Sequence, residues 1–239
     1  VLKILKTCLI VPICLFSLAQ CGLESLPYLT PPVNRTSGSF FLVQKTTAND
    51  SEFVAGEWEY QGIELYYKLY VPESAGGGVP PSDTNYTQVS ELQSNGFFRI
   101  SSYPEEQSGS ADKPLIDIAG LWPGDVTFRI DPGNLNIVEI GTSTEVVSQI
   151  RRGVRYAFGE KGYPSFRPFR WFDDDATDRG FDASHADVSQ NLYDFMNNNP
   201  GSDITMAIYA LSYGKTGGIL VDLYSDAVYL GAQSVNIHW

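Results

Sequence analysis

The most regular pattern along the chain has a period of two. Ile63, Leu65, Tyr67, Leu69 and Val71 alternate with Glu64, Tyr66, Lys68 and Tyr70. In an extended backbone these two sets point to opposite faces of a sheet, so the run predicts a strand. Residues 40–45 form a shorter strand of the same kind. Val126, Phe128 and Ile130 alternate up to Asp131-Pro132-Gly133-Asn134, a turn with Pro and Gly at favoured central places, and residues 135–140 supply the returning strand. Residues 204–213 and 219–230 flank Gly214-Lys215-Thr216-Gly217-Gly218 as a second hairpin.

A helical period is found in two places. Ser184-x-x-Asp187 resembles a capping box, followed by Val188, Leu192, Phe195 and Met196 at helical spacing, and Pro200 within residues 197–201 stops the run. A second helix is expected over 145–158, with Val147, Ile150, Val154 and Phe158 on one stripe, although Gly153 weakens it. Residues 72–95 and 103–114 read as long loops, and loops of that length are binding segments or simply mobile. No repeat of about 20–50 residues is visible, which disfavours propellers and solenoids. The sum is a mainly β protein: an antiparallel β-sandwich or jelly-roll-like domain over residues 39–239, with one or two short helices.

Composition supports a packed domain and narrows its partners. The 239 residues are 43% apolar and 13% aromatic, enough for a real core. The net charge of −12 disfavours a nucleic-acid partner, because phosphate contacts need a cationic face. Cysteines occur only at Cys8, Cys14 and Cys21, so no disulfide framework serves the remaining chain.

The N-terminal segment differs from everything after it. Lys3 and Lys6 precede an uncharged run from Thr7 to Gln20 that contains Pro12. A basic start followed by about a dozen apolar residues is a secretory signal pattern, too short to span a bilayer comfortably. Leu18-Ala19-Gln20-Cys21-Gly22 resembles the lipobox of bacterial lipoproteins. Gln20 departs from the usual Gly or Ala, as in the looser spirochaete type. The resemblance implies cleavage before Cys21, lipid attachment to Cys21 (a palmitate-type acyl anchor), and residence in the bacterial cell envelope at the outer membrane. Cleavage after Ala19 at an ordinary signal-peptidase site is the competing reading, and would leave Cys21 as a lone thiol. On the lipoprotein reading residues 1–20 are the signal peptide. Residues 21–38, rich in proline, are an extended tether or an arm packed through Leu26, Tyr28 and Leu29, two readings that can hold together.

Candidate chemistry is concentrated between residues 151 and 182. Asp173, Asp175 and Asp178, with Thr177, have spacing suited to a hard cation such as Ca²⁺, though Gly and Glu are missing where an EF-hand needs them. The bland alternative is a solvated acidic loop ahead of the 184 helix. Upstream, Arg151, Arg152, Arg155, Lys161, Arg167 and Arg170 interleave with aromatic residues up to Trp171. Arg167, Arg170 and Trp171 are candidates for binding an anionic ligand, against the simpler expectation that the arginines pair with the adjacent aspartates. His185 and His238 fit no catalytic pair, and no nucleophile elbow or phosphate loop occurs.

Asn34, Asn49 and Asn85 head glycosylation sequons that are chance matches in a bacterial lipoprotein. Val235, Ile237 and Trp239 alternate like the last strand of a membrane barrel, but the chain lacks eight clear segments of that kind, so a closing strand is expected. The reading is therefore a non-enzymatic envelope lipoprotein with a structural or ligand-binding role. It sits on a membrane through its lipid and contacts a host or envelope protein or glycan, as the resemblance implies. A Ca²⁺-dependent binding module and a periplasmic hydrolase with dispersed carboxylates are the alternatives.

Overall fold

The computed structural model describes residues 28–38, 40–49, 58–102, 116–117, 127–130, 137–141, 146–154, 170–171, 187–216 and 221–235. Within them the chain is mainly β, and all strand pairings are antiparallel. The strands are β1 (Val33–Asn34), β2 (Phe41–Gln44), β3 (Trp58–Tyr70), β4 (Phe98–Ser102), β5 (Ile116–Asp117), β6 (Thr127–Ile130), β7 (Ile137–Gly141), β8 (Val146–Val154), β9 (Arg170–Trp171), β10 (Ile204–Thr216), β11 (Asp222–Tyr224) and β12 (Val228–Val235). Helices α1 (Val89–Ser94) and α2 (Gln190–Asn198) accompany them among the described residues.

Two sheets share one strand. β1, β2, β6 and β7 pair in succession and lead to the first part of β8, where Ile137 faces Arg151 and Ile140 faces Ser148. The last part of β8 pairs instead with β4, Ile100 against Val154, and carries the ladder on through β3 to β10. A strand that changes sheets in this way makes a corner between the two layers. The expected 126–140 hairpin is present as β6 and β7, with Phe128 opposite Ile140.

β3 and β10 form the spine, paired over their full lengths from Tyr70–Thr205 to Trp58–Thr216. Their alternation separates two cores. On one face Ile63, Leu65, Tyr67, Ile204, Met206 and Ile208 pack with Phe41 and Val43 of β2 and with Leu192 and Met196 of α2. On the other face Tyr66, Tyr70, Ala207, Tyr209 and Leu211 pack with Leu92 of α1 and with Phe97. Both faces of β3 are thus covered. Burying a large side chain contributes about 1.5–3 kcal/mol, so covering the second face is a substantial part of the fold's stability.

Two bulges bend this spine. Between Tyr213–Gly62 and Gly214–Tyr60 the register slips by one residue at Gly62, whose φ of 149° suits glycine. A second slip falls between Ile208–Gly231 and Tyr209–Tyr229, with Gly231 at φ 118°. The strand expected over 219–230 is divided at Ser225, since β11 and β12 both pair with β10. Ser225 bridges the break: its hydroxyl accepts from Ser212 N at 2.9 Å and its amide donates to Ser212 O at 3.0 Å.

Three further expectations need correction. Residues 146–154 are a strand rather than part of a helix over 145–158; Val146, Ile150 and Val154 also fit a period of two, and ladders to β7 and β4 are available to them. α2 is capped by Ser189, whose Oγ accepts from Leu192 N at 3.2 Å, and not by Ser184. Residues 72–95 are no open loop. They hold single 3-10 turns at Glu73–Ala75 and Pro81–Thr84 and then α1, where Gln88 and Glu91 form a reciprocal capping box.

The N-terminal arm enters the core at Leu29, its second described residue. Leu29 is 1% exposed in the first core. Thr30 N donates to Asn49 Oδ1 at 2.8 Å, while Thr30 O accepts from Asn49 Nδ2 at 2.9 Å and from Ser212 Oγ at 2.7 Å. Asn34 Nδ2 donates to Tyr229 O at 2.9 Å. Of the contacts expected for the arm, Leu29 packs, Tyr28 is exposed and Leu26 lies outside the described residues, while Thr30 and Asn34 tie the arm to β10 and β12.

Candidate functional site

The densest polar chemistry among the described residues lies on the second face of the spine. It starts with the alternation of β3, which puts Glu64, Tyr66, Lys68 and Tyr70 on one side. The phenol rings fill the second core while their hydroxyls need partners, and buried carboxylates need compensation. These requirements are met within β3 and by neighbouring elements.

Glu64 is fully buried. Its Oε1 lies 2.9 Å from Arg99 Nη2 of β4, and its Oε2 accepts from Tyr66 Oη at 2.8 Å. Burial disfavours charge on Arg99, but the adjacent carboxylate of Glu64 more than offsets this and holds the guanidinium above its ordinary range. Burial and the same carboxylate push the Tyr66 phenol far up.

Asp83 sits in the 3-10 turn at Pro81–Thr84 and gathers three donors. Lys68 Nζ donates to Oδ2 at 2.7 Å, Tyr70 Oη to Oδ2 at 2.6 Å, and Tyr86 Oη to Oδ1 at 2.7 Å. Partial burial opposes ionisation of Asp83, yet these hydrogen bonds win and hold its carboxyl below the usual range. Tyr209 Oη donates to the Asp83 carbonyl at 2.9 Å and accepts from Tyr86 N at 3.3 Å. Burial, with hydrogen bonding and the charge of Asp83, raises the Tyr86 phenol to about 12. Lys68 Nζ also stands 5.1 Å from the Tyr70 ring centroid and 5.5 Å from that of Phe97.

Around these carboxylates the rings of Tyr86, Phe97, Tyr209 and Tyr229 meet edge-on or tilted, with centroids 5.1–6.2 Å apart. The phenols here stay protonated and donate, and Asp83 stays ionised and accepts. The network therefore works as a fixed set of dipoles that fastens residues 80–87 to the sheet. Tyr67, on the opposite face, donates to Asp187 just ahead of α2.

Sequence reasoning passed over Glu64, Asp83 and their tyrosines. A single Glu inside an apolar strand was the available signal, since burial obliges it to find a cation. Of the residues singled out in the sequence, Cys21, Arg167, Asp173, Asp175 and Asp178 lie outside the described residues, as do His185 and His238. Arg170 and Trp171 are described as backbone: β9 pairs with the end of β8, Val154 against Arg170 and Gly153 against Trp171. This brings the two ends of the cationic-aromatic stretch together as neighbouring strands. Among the described residues no group of three His, Cys, Asp or Glu side chains is arranged to hold a metal ion, and no helix is long and apolar enough to cross a membrane.

Comparison of the chain with protein-family models, curated proteins and solved structures finds no match.

Proposed function

We propose that the chain is a lipid-anchored lipoprotein of the bacterial envelope whose β domain has a binding or structural role. The observation that carries this reading is the lipobox-like Leu18-Ala19-Gln20-Cys21 after a basic, then apolar, segment. Acylated Cys21 would be held firmly, since each buried CH₂ contributes about 0.8 kcal/mol and two acyl chains already give stable anchoring. Removal of residues 1–20 takes Lys3 and Lys6 with it, leaving fourteen cations against twenty-eight acids and a more acidic domain. The second-face network fits a structural role for that face, because its hydrogen bonds to Asp83 fasten residues 80–87 to the sheet.

Labelling expressing cells with a palmitate analogue tests the anchor. Label is expected on the intact chain and absent from Cys21→Ser; equal labelling of both would sink the reading.

A further inference from the structure

We propose that Tyr213 of β10 and Tyr224 of β11 form an oxidative modification site, at which a one-electron oxidant joins the two rings as dityrosine. The inference is independent of the lipid anchor.

Strand register brings the rings together. Tyr213 and Tyr224 are directly opposite in the antiparallel β10–β11 pair, and directly opposite residues carry their side chains on the same face. The ring centroids are 5.3 Å apart with the planes inclined at 39°, within the range of packed aromatic pairs. Tyr213 is buried, but Tyr224 is partly exposed on its short strand, so an oxidant in solution reaches one ring of the pair.

The neighbouring charges suit loss of an electron together with a proton. Burial, then the hydrogen bond to Asp222 and its charge, push the Tyr213 phenol far up. Burial, then the charges of Glu64 and Asp222, do the same for Tyr224. Both phenols are therefore neutral around neutral pH, and each must shed its proton once oxidised. Tyr213 Oη already donates to Asp222 Oδ1 at 2.7 Å, so a carboxylate is in place to take it. Lys215 Nζ, 6.0 Å from the Tyr213 ring centroid, opposes keeping positive charge on that ring.

In the reaction each phenol gives up one electron and its hydroxyl proton. A carbon–carbon bond forms between the ring positions ortho to the two oxygens. The hydrogens on those carbons then move to the oxygens and restore two phenols. The pair loses two electrons and two protons in all; two equivalents of oxidant each gain one electron, and the protons leave through Asp222 and solvent.

A second pair shows why the site is selective. Tyr209 and Tyr229 are also opposite in register, with centroids 5.1 Å apart and planes at 46°. Tyr209 Oη, however, donates to the Asp83 backbone carbonyl, a far weaker base than a carboxylate. Tyr86 does donate to a carboxylate, but its ring is 6.2 Å from that of Tyr209. Its acceptor Asp83, despite partial burial, is held below the usual carboxyl range by Lys68, Tyr70 and Tyr86 and is a poorer base for it. Close rings and a carboxylate acceptor coincide at Tyr213 and Tyr224.

Tryptic cleavage after Lys215 separates the two rings: residues 180–215 carry Tyr193, Tyr209 and Tyr213, and residues 216–239 carry Tyr224 and Tyr229. The full chain, kept dilute, is exposed briefly to photo-oxidised ruthenium tris(bipyridine) with persulfate, and the monomer is isolated and digested. The two peptides are expected joined, at a mass lacking two hydrogens, with fragmentation placing the bond at Tyr213 and Tyr224. Tyr224→Phe should remove the joined pair and Tyr229→Phe should leave it. Asp222→Asn, at an exposed position, should lower its yield severalfold at an unchanged melting temperature. No joined peptides in the wild-type monomer, a bond at Tyr209 and Tyr229, or survival of the pair in Tyr224→Phe overturns the site. Undiminished yield in Asp222→Asn overturns the proton route assigned to it.

Discussion

Arg99 on β4 holds the carboxylate of Glu64 on β3 at 2.9 Å, diagonally across the ladder in which Arg99 faces Tyr66. The acid is fully buried, and that guanidinium and the Tyr66 hydroxyl both stabilise its charge. Removing one partner leaves an uncompensated buried charge, whereas replacing both with apolar groups removes the desolvation cost as well. Arg99→Met is therefore expected to lose about 3–5 kcal/mol in urea unfolding, and Glu64→Leu combined with Arg99→Met to recover most of it. A double variant as unstable as the single one would contradict this account.

Asp83 gives the fold an acid limit. Its folded-state pKa is depressed, so its stabilising contribution is complete above the ordinary carboxyl range and is lost as pH falls through the lower folded value. Asp83→Asn is expected to be less stable than wild type by about 1–3 kcal/mol at pH 7. The gap should close below pH of about 4. Melting temperatures of both proteins across pH 2–7 check the sign; a gap that widened in acid would refute it.

Asn49 heads a sequon but is 0% exposed and bonds to both sides of Thr30 and to Ser212 Oγ. A glycan attached there is incompatible with the packed arm, while Asn34 and Asn85 are exposed. Secretion from a eukaryotic host should therefore yield poorly folded material that Asn49→Gln or a block of glycosylation improves. In unglycosylated protein Asn49→Ala should cost about 1–3 kcal/mol and speed tryptic cleavage after Arg35. Unchanged cleavage would show that the clamp does not hold the arm.

Ser189 starts α2 by accepting from Leu192 N. Ser189→Ala is expected to lower stability by about 1 kcal/mol, read from a denaturation midpoint, while Ser189→Asp stays near wild type. A loss from Ser184→Ala matching that from Ser189→Ala would return the cap to Ser184.

The long strands were legible because their pattern and their packing coincide. Ile63 through Leu69 alternates cleanly, and the aliphatic set does face the first core. The polar set misleads because tyrosine is judged by its hydroxyl, whereas Tyr66, Tyr70 and Tyr209 bury their rings and satisfy the hydroxyl locally. The segment that covers them was hidden for a related reason. α1 is six residues long with Leu92 fully buried, too short for periodicity to show, and its Gln88–Glu91 cap lacks the usual Ser or Thr. β8 went astray through ambiguity: Val147, Ile150 and Val154 fit a helical stripe, but Val146, Ile150 and Val154 fit a strand, and only the neighbouring β7 and β4 decide. Partner distance in sequence likewise concealed the Lys68–Asp83 and Glu64–Arg99 pairs, which are fifteen and thirty-five residues apart.

The three-way junction at Thr30 also fixes how the protein bears load. A pull applied on the N-terminal side of Tyr28 reaches the fold through Thr30, where three hydrogen bonds of 2.7–2.9 Å converge on one residue's amide and carbonyl. Ser212 passes that strain directly into β10, the strand paired along its length with β3. Traction is thereby delivered to the most extensively bonded part of the sheet rather than to a fraying edge, so the domain resists being peeled open from the end by which it is held.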